Sequence, residues 1–240
     1  MSKILAIDSS TEACSVALLN EKYIVKRFQL APRKHAERLL PMIDSVLKES
    51  NIALNQLNAI ACCVGPGAFT GLRIAISVAQ GLAYAAKLPC IAISSLQILA
   101  AEAFNNNNHS ICLSSIDARM QEVYFAGFKR GEEGIPKEIH PQQVIGAENI
   151  VLDPRLTAAS GSISADHSKW VKAGTGWAVY QHSAEIEAMK ALLLPIHFPN
   201  AEMMLAIASD HYDKHEILKP ELLQPVYLRN DVAKKKSQQK

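Results

Sequence analysis

Apolar positions in the first hundred residues recur first in short runs and then at helical spacing. Ile4–Ile7, Cys14–Leu19 and Tyr23–Gln29 have strand length, and the polar triplet Asn20-Glu21-Lys22 joins the last two as a hairpin connection. Ala36, Leu39, Leu40, Ile43, Val46 and Leu47 then fall at helical spacing. Pro41 lies inside that pattern and is expected to bend the helix or leave a carbonyl unpaired. Ala59–Val64 predicts a buried strand, Phe69–Lys87 a helix and Cys90–Ile93 a strand, with Ser94 or Ser95 capping a helix that ends near Phe104. The order is β-β-β-α-β-α-β-α.

The second half repeats it. Ile7-Asp8 recurs as Ile116-Asp117, and Gly65-Pro66-Gly67 recurs at the same offset as Gly174-Thr175-Gly176. At a slightly shorter offset Leu88-Pro89 recurs as Leu194-Pro195 and the capping Ser94 as Asn200. Between these anchors lie strand-like segments at Ile111–Ile116, Val123–Phe128 and Trp170–Ala173, and a turn at Gly131–Gly134. A helix from about Asn200 to His215 closes the copy. Pro141–Ser168 has no convincing period; only a short helix near Pro141–Ile145 is expected there. The organisation is therefore 1–104 plus about 218–233 as a first subdomain, 105–217 as a second, and 234–240 as a basic flexible tail. Val226-Tyr227-Leu228 is too apolar for a free end, so the chain from about Leu218 is expected to return onto the first copy.

Composition narrows the function classes little. A net charge of +2 neither demands nor excludes nucleic acid, and the positive charge gathers at Lys234, Lys235, Lys236 and Lys240. The five cysteines, Cys14, Cys62, Cys63, Cys90 and Cys112, lie in apolar strand-like runs without C-x-x-C spacing and are expected to be reduced core residues. Strand 1 begins almost at once, with no signal-peptide apolar region before it, and the longest apolar stretch, Ile74–Ala86, is too short to span a bilayer. The cytoplasm is the expected location, with no membrane contact.

Gly65-Pro66-Gly67-Ala68-Phe69-Thr70-Gly71-Leu72-Arg73 joins a buried strand to a helix rich in small residues. Glycines allow positive φ and close backbone approach, and free amides at a helix start favour an anion. A phosphate cradle and a tight turn that binds nothing are both consistent with it.

A duplicated β-β-β-α-β-α-β-α unit with a polar turn after each first strand resembles the actin, sugar kinase and Hsp70 (ASKHA) superfold, an α/β architecture. Five strings narrow the resemblance: Ile4-Leu5-Ala6-Ile7-Asp8-Ser9-Ser10-Thr11, His35-Ala36-Glu37-Arg38-Leu39-Leu40-Pro41, the Gly65–Arg73 loop, Asp117-Ala118-Arg119 with Glu122-Val123-Tyr124, and Pro225-Val226-Tyr227-Leu228-Arg229. Together they resemble the TsaB (YeaZ) family from residue 1 to about 233. The resemblance implies a non-catalytic accessory subunit of bacterial tRNA threonylcarbamoyladenosine synthesis. Such a subunit forms homodimers when alone, pairs with the catalytic paralogue TsaD and joins an assembly containing the ATPase TsaE. TsaD modifies N6 of the adenosine beside the anticodon in tRNAs for codons beginning with A. Contact of this chain with tRNA is expected only indirectly or through the basic tail.

Active members of the superfold carry Asp-x-Gly-x-Thr after strand 1. Here Ser10 stands where that glycine would be, and Asp117-Ala118-Arg119 lacks one too, so both phosphate turns are degraded. The vestigial nucleotide-side set is Asp8, Ser9, Ser10, Thr11, Gly65, Gly67, Thr70, Gly71, Arg73, Gly174 and Gly176. No cofactor is expected on the isolated chain, and ATP or ADP is expected only at the interface of the complex. A small ATPase or kinase of the same superfold is the alternative function, with a peptidase weaker still. His211 and His215 lie one helical turn apart but end the last helix beside charged residues, and His35 with Glu37 has no nucleophile tied to it. No catalytic residue and no metal ligand is assigned. Ala75, Ser77, Ala79, Gly81, Ala83, Ala85 and Ala86 would let another helix approach closely. The expected partner interface is His35, Leu39, Leu40, Ile43, Val46 and Leu47 on the first helix, with Ala75, Ala79 and Leu82 on the second.

Overall fold

The computed structural model describes residues 2–105, 108–152 and 169–229. β1 (Lys3–Asp8), β2 (Ala13–Asn20) and β3 (Tyr23–Leu30) form an antiparallel meander. β4 (Ala59–Gly65) adds parallel to β1, and β5 (Cys90–Ser94) adds parallel to β4. The connecting helices are α1 (His35–Glu49) and α2 (Phe69–Ala86). The sheet order is β3-β2-β1-β4-β5. A second sheet of β6 (Ile111–Arg119), β7 (Glu122–Arg130), β8 (Pro136–Gly146), β9 (Trp170–Ala173) and β10 (Leu192–Leu193) has the order β10-β9-β6-β7-β8, with a short helix α4 (Ala184–Ala188) before β10. Read from the other end this is the same topology, so the duplicated ASKHA-type α/β fold expected from the repeat is the fold found.

Strand periodicity explains the layers. Leu5 and Ile7 of β1, with Ile60, Cys62 and Val64 of β4, face α1 and α2. Their neighbours Ile4, Ala6, Ala59, Ala61 and Cys63 face the opposite layer. β4 is buried on both faces, which is why it reads as one apolar run. All five cysteines are free and buried, as expected.

The helix covering that opposite layer is α5 (Ala201–Asp213), which follows the second sheet in the chain. It is set by two caps: Asn200 Oδ1 accepts from Glu202 N at 3.0 Å, and Ala201 N donates to Ser15 Oγ of β2 at 2.9 Å. Conversely α3 (Ser95–Phe104), capped by Ser94, lays Leu96, Leu99, Ala103 and Phe104 on Cys112, Ala126, Phe128 and Val171 of the second sheet. Each lobe thus covers the other's sheet, and packing cuts across the bounds 1–104 and 105–217 drawn from chain order. The returning segment packs on the first lobe: Leu218 exchanges two backbone bonds with Cys90, Leu223 is fully buried, and Val226 N donates to Val64 O at 2.9 Å.

The short helix expected at Pro141–Ile145 is not there. Those residues belong to β8, with Tyr124 opposite Val144 and Glu122 opposite Gly146. β8 is a sheet edge, where a proline's missing N–H leaves no interior ladder bond unmade. α1 continues through Pro41, whose ring faces solvent. Part of the expected Asn105–Asn108 linker (106–107), 153–168 and the basic tail at 234–240 lie outside the described residues.

Candidate functional site

The two lobes enclose a cleft of about 470 Å³, whose walls include Ser10, Thr11, Glu12, Gly67, Asp117, Arg119 and Arg229. Of the vestigial nucleotide-side residues, only Ser10, Thr11 and Gly67 line it. Gly65 and Gly174 have φ of +105° and +104°, the left-handed region that glycine tolerates, so the two loops share that feature, although only the first has a cis peptide bond, at Gly65-Pro66. In the first copy the β1–β2 turn presses into the loop. A Cβ on Gly67 would stand 2.2 Å from Ser10 O, and one on Gly71 2.0 Å from Ser9 O. Ala68 N donates to Ser10 O at 2.7 Å, and Ser9 Oγ donates to Gly71 O at 2.8 Å. In the second copy a Cβ on Gly174 would meet Ser115 O at 2.0 Å, and one on Gly176 would meet Ser115 Oγ at 2.1 Å. The glycines serve the chain's own close packing.

Asp8 is fully buried, and its Oδ1 accepts from Ser10 N at 3.0 Å while Oδ2 has no hydrogen-bond partner among the described residues. Burial pushes its carboxyl above the usual range; hydrogen bonding to Ser10 and Cys63 and the charge of His35 pull the other way. A carboxyl so enclosed cannot reach a ligand in the cleft. Thr70 is exposed, outside the cleft wall.

The polar work at the cleft mouth is done by Arg73, already a site candidate, and by residues the sequence signalled only as parts of strings. Arg73 lies 3.6 Å over the Phe69 ring and its Nε donates to Tyr227 Oη at 3.1 Å. Tyr227 stacks on Phe69 with ring centroids 5.8 Å apart. Arg119 pairs with Asp117 at 2.8 Å and reaches Glu12 of the other lobe at 3.3 Å. Arg229 pairs with Glu122 and donates to Arg119 O. Leu223–Arg229 is therefore a strap from the first sheet to the β6–β7 hairpin, and Glu12 is a lobe-bridging group that sequence reasoning missed. That hairpin turns through Arg119, Met120 and Gln121, all at positive φ.

The interface expected on α1 and α2 must be redrawn. Leu39, Ile43, Val46, Ala75 and Ala79 are buried against the first sheet, His35 is nearly so, and Leu47 and Leu82 are half-buried on the same core. Helical spacing marked the face turned to the sheet. Only Leu40 of that set is exposed. The exposed residues of the two helices include Leu40 and Pro41 on α1, beside Glu37, Arg38 and Asp44, with Ser77, Gly81, Tyr84 and Ala85 on α2. Tyr84 is 78 % exposed, and a Cβ on Gly81 would meet nothing within 4 Å.

The TsaB tRNA threonylcarbamoyladenosine biosynthesis protein of Escherichia coli (strain K12) is 41 % identical over 234 residues, which are 98 % of this chain and 97 % of that protein. The chain belongs to the TsaB (YeaZ) family. Its Haemophilus influenzae relative of the same name is 40 % identical over 97 % of this chain and 96 % of that protein. YeaZ from Pseudomonas aeruginosa has the same fold, with a TM-score of 0.81 at 38 % identity over 95 % of this chain and all of that one. The family model described as TsaD, tRNA N6-adenosine threonylcarbamoyltransferase, matches residues 24–237. A further Pseudomonas aeruginosa structure, described as an uncharacterized protein with similarity to peptidase YeaZ, aligns with a TM-score of 0.82 at 39 % identity over 95 % of this chain and all of that one. In this member of the TsaB family burial raises the thiols of Cys14 and Cys112 to about 12 and of Cys90 to about 11, and those of Cys62 and Cys63 well above their ordinary value. Those thiols are packing groups, not nucleophiles.

Proposed function

We propose that this chain serves tRNA threonylcarbamoyladenosine biosynthesis as a non-catalytic subunit, docking a TsaD-type transferase through the outer face of α1 and α2. The observation that carries the reading is Gly81, exposed at the middle of α2 with open space over it and flanked by Ser77 and Ala85. A helix of small outward residues lets a second helix approach closely. The TsaD family model extends over most of this chain, so a TsaD-type partner presents corresponding helices and the contact becomes like face on like face. The same face serves a homodimer when the chain is alone, and the two pairings exclude each other.

The self-filled glycine loops support a supporting role over an ATPase or kinase. ATP or ADP belongs at the interface of the assembled complex, which also holds a TsaE-type ATPase, and tRNA is reached through the assembly or the basic tail. Among the described residues no helix is long and apolar enough to cross a membrane.

The test is Gly81→Arg in size-exclusion chromatography with the TsaD-type partner. The variant is expected to stay folded and elute alone; co-elution as wild type sinks the interface. Calorimetry with ATP on the chain alone and then on the mixture separates the readings, since tight binding by the isolated chain favours the ATPase.

A further inference from the structure

β3 is eight residues long and pairs on one side only, with Tyr23 opposite Asn20 and Leu30 opposite Ala13 of β2. It is the outermost strand of its sheet, and no described strand pairs with its other edge. An uncovered edge offers a row of amides and carbonyls to any extended chain, and proteins that leave such an edge unused blunt it with proline, a bulge or charge. β3 contains no proline, and its register runs without a bulge. Its central charges engage the helices on the two faces of the sheet, and Arg27 Nη1 also donates to Lys26 O on the strand backbone at 2.8 Å, leaving the other outward groups of the edge for a guest. Lys26 Nζ lies 2.5 Å from Glu202 Oε2 of α5, while Arg27 bonds Ser45 Oγ at 3.0 Å and Glu49, both on α1.

Ile24, Phe28 and Leu30 share the α5 face of the strand and are 45 % to 57 % exposed. Ile24 also forms one wall of a groove of about 340 Å³ with Phe104, Ile135, Pro136 and Met203. Lys22 at one end of the strand and Arg33 and Lys34 beyond the other make no ion pair among the described residues.

We propose that the free edge of β3 docks an extended, acidic segment of another protein by strand addition. Main-chain bonds to the edge supply affinity, and alternate side chains of the guest pack beside Ile24, Phe28 and Leu30. Carboxylates towards its ends meet Lys22 and the Arg33-Lys34 pair. A second copy of this chain fits worse. When β3 pairs with its own copy about a two-fold axis normal to the sheet, opposed residues lie on the same face. The central registers then set Lys26 against Lys26 or Arg27 against Arg27, and like charges directly opposite are destabilising. The proposal does not depend on the pairing of α1 and α2.

The test titrates the full chain into a labelled peptide alternating glutamate and valine, read by fluorescence anisotropy and by amide exchange. Saturable binding below about 1 mM is expected, an affinity of roughly 4 kcal/mol or better. In the free protein the β3 amides that point away from β2 exchange freely, and the peptide slows them. Lys22→Glu with Arg33→Glu and Lys34→Glu weakens binding at least ~10-fold, about 1.4 kcal/mol, as does replacing every glutamate of the peptide by lysine. No saturable binding at 1 mM overturns the proposal, as does binding indifferent to the charge reversals or protection that appears elsewhere. Outward β3 amides already protected in the dilute free protein mean that the chain covers its own edge. Protection that grows with protein concentration without peptide means that a second copy does. Either result overturns it.

Discussion

Ser10 O and Gly67 are in contact so close that a Cβ on Gly67 would lie 2.2 Å from that oxygen. The loop that resembles a phosphate cradle is thus occupied by the turn that would have faced the phosphate, and Ala68 N is already given to Ser10 O. Gly67→Ala must push the β1–β2 turn away from α2, and overpacking of this kind costs about 1–3 kcal/mol. Urea denaturation should show that loss. Ser10→Gly, which restores the superfold's glycine, is expected to leave ATP affinity unmeasurable by calorimetry, because that amide stays engaged. Micromolar ATP binding by that variant would show that the side chain, and not the filled loop, excludes phosphate.

The fold was legible because it is written twice. The Gly65 and Gly174 loops share one φ, β1 to β5 and β6 to β10 share one order, and caps at Ser94 and Asn200 start α3 and α5. The partner face was not legible for a physical reason. Leu39, Ile43 and Val46 at helical spacing say that α1 has an apolar face, but the sheet beneath it takes that face. β8 hid its strand character because its edge position relaxes alternation and tolerates Pro136 and Pro141. Tyr227 stood out in an apolar segment returning to the core and Arg229 as the end of a family string, yet their partners Phe69, Arg73 and Glu122 are far away in sequence.

Leu39 and Leu40 are neighbours with opposite surroundings, and they separate packing from docking. Leu39→Ala removes a fully buried side chain and should cost about 2–5 kcal/mol of stability. Leu40 is 51 % exposed, so Leu40→Ala should change stability by less than about 0.5 kcal/mol. Thermal denaturation of the two variants checks the difference. A charged residue at position 39 or 43 would unfold the protein and say nothing about its partner, whereas Leu40→Glu tests the docking face on a folded chain.

Asp8 makes stability depend on pH in a definite direction. Its carboxyl is raised above the ordinary 3.8 in the folded protein, so the folded state holds the proton more tightly than the unfolded chain does. The resulting stabilisation is fully present below 3.8 and is lost as pH rises through the folded value. Asp8→Asn keeps the acceptor for Ser10 N and removes the charge. It should be more stable than wild type at neutral pH, with the gain shrinking as the solution is acidified towards 3.8. Denaturation curves across that range decide it; a gain that grows on acidification would mean that Asp8 is stabilised as an anion.

The strap closes the cleft by contacts with both lobes, and its two ends should respond differently. On the first lobe Leu223 is buried and Val226 N is bonded to Val64 O, while Tyr227 adds the stack on Phe69 and the bond from Arg73. An aromatic pair contributes about 0.5–1.5 kcal/mol beyond its buried area. Tyr227→Ala should therefore speed exchange of the Val226 amide by roughly 2–10-fold, the same energy expressed as a local opening. On the second lobe the strap is held by Arg229, paired with Glu122, bonded to Arg119 O and touching Met120, so Arg229→Ala should free the β6–β7 hairpin and leave the Val226 amide protected. If both variants loosened Val226 equally, the strap would open as one unit and the lobes would be latched cooperatively. If neither did, Leu223 and the Val64 bond alone would hold it, and the aromatic and arginine contacts at the cleft mouth would be free to serve a partner.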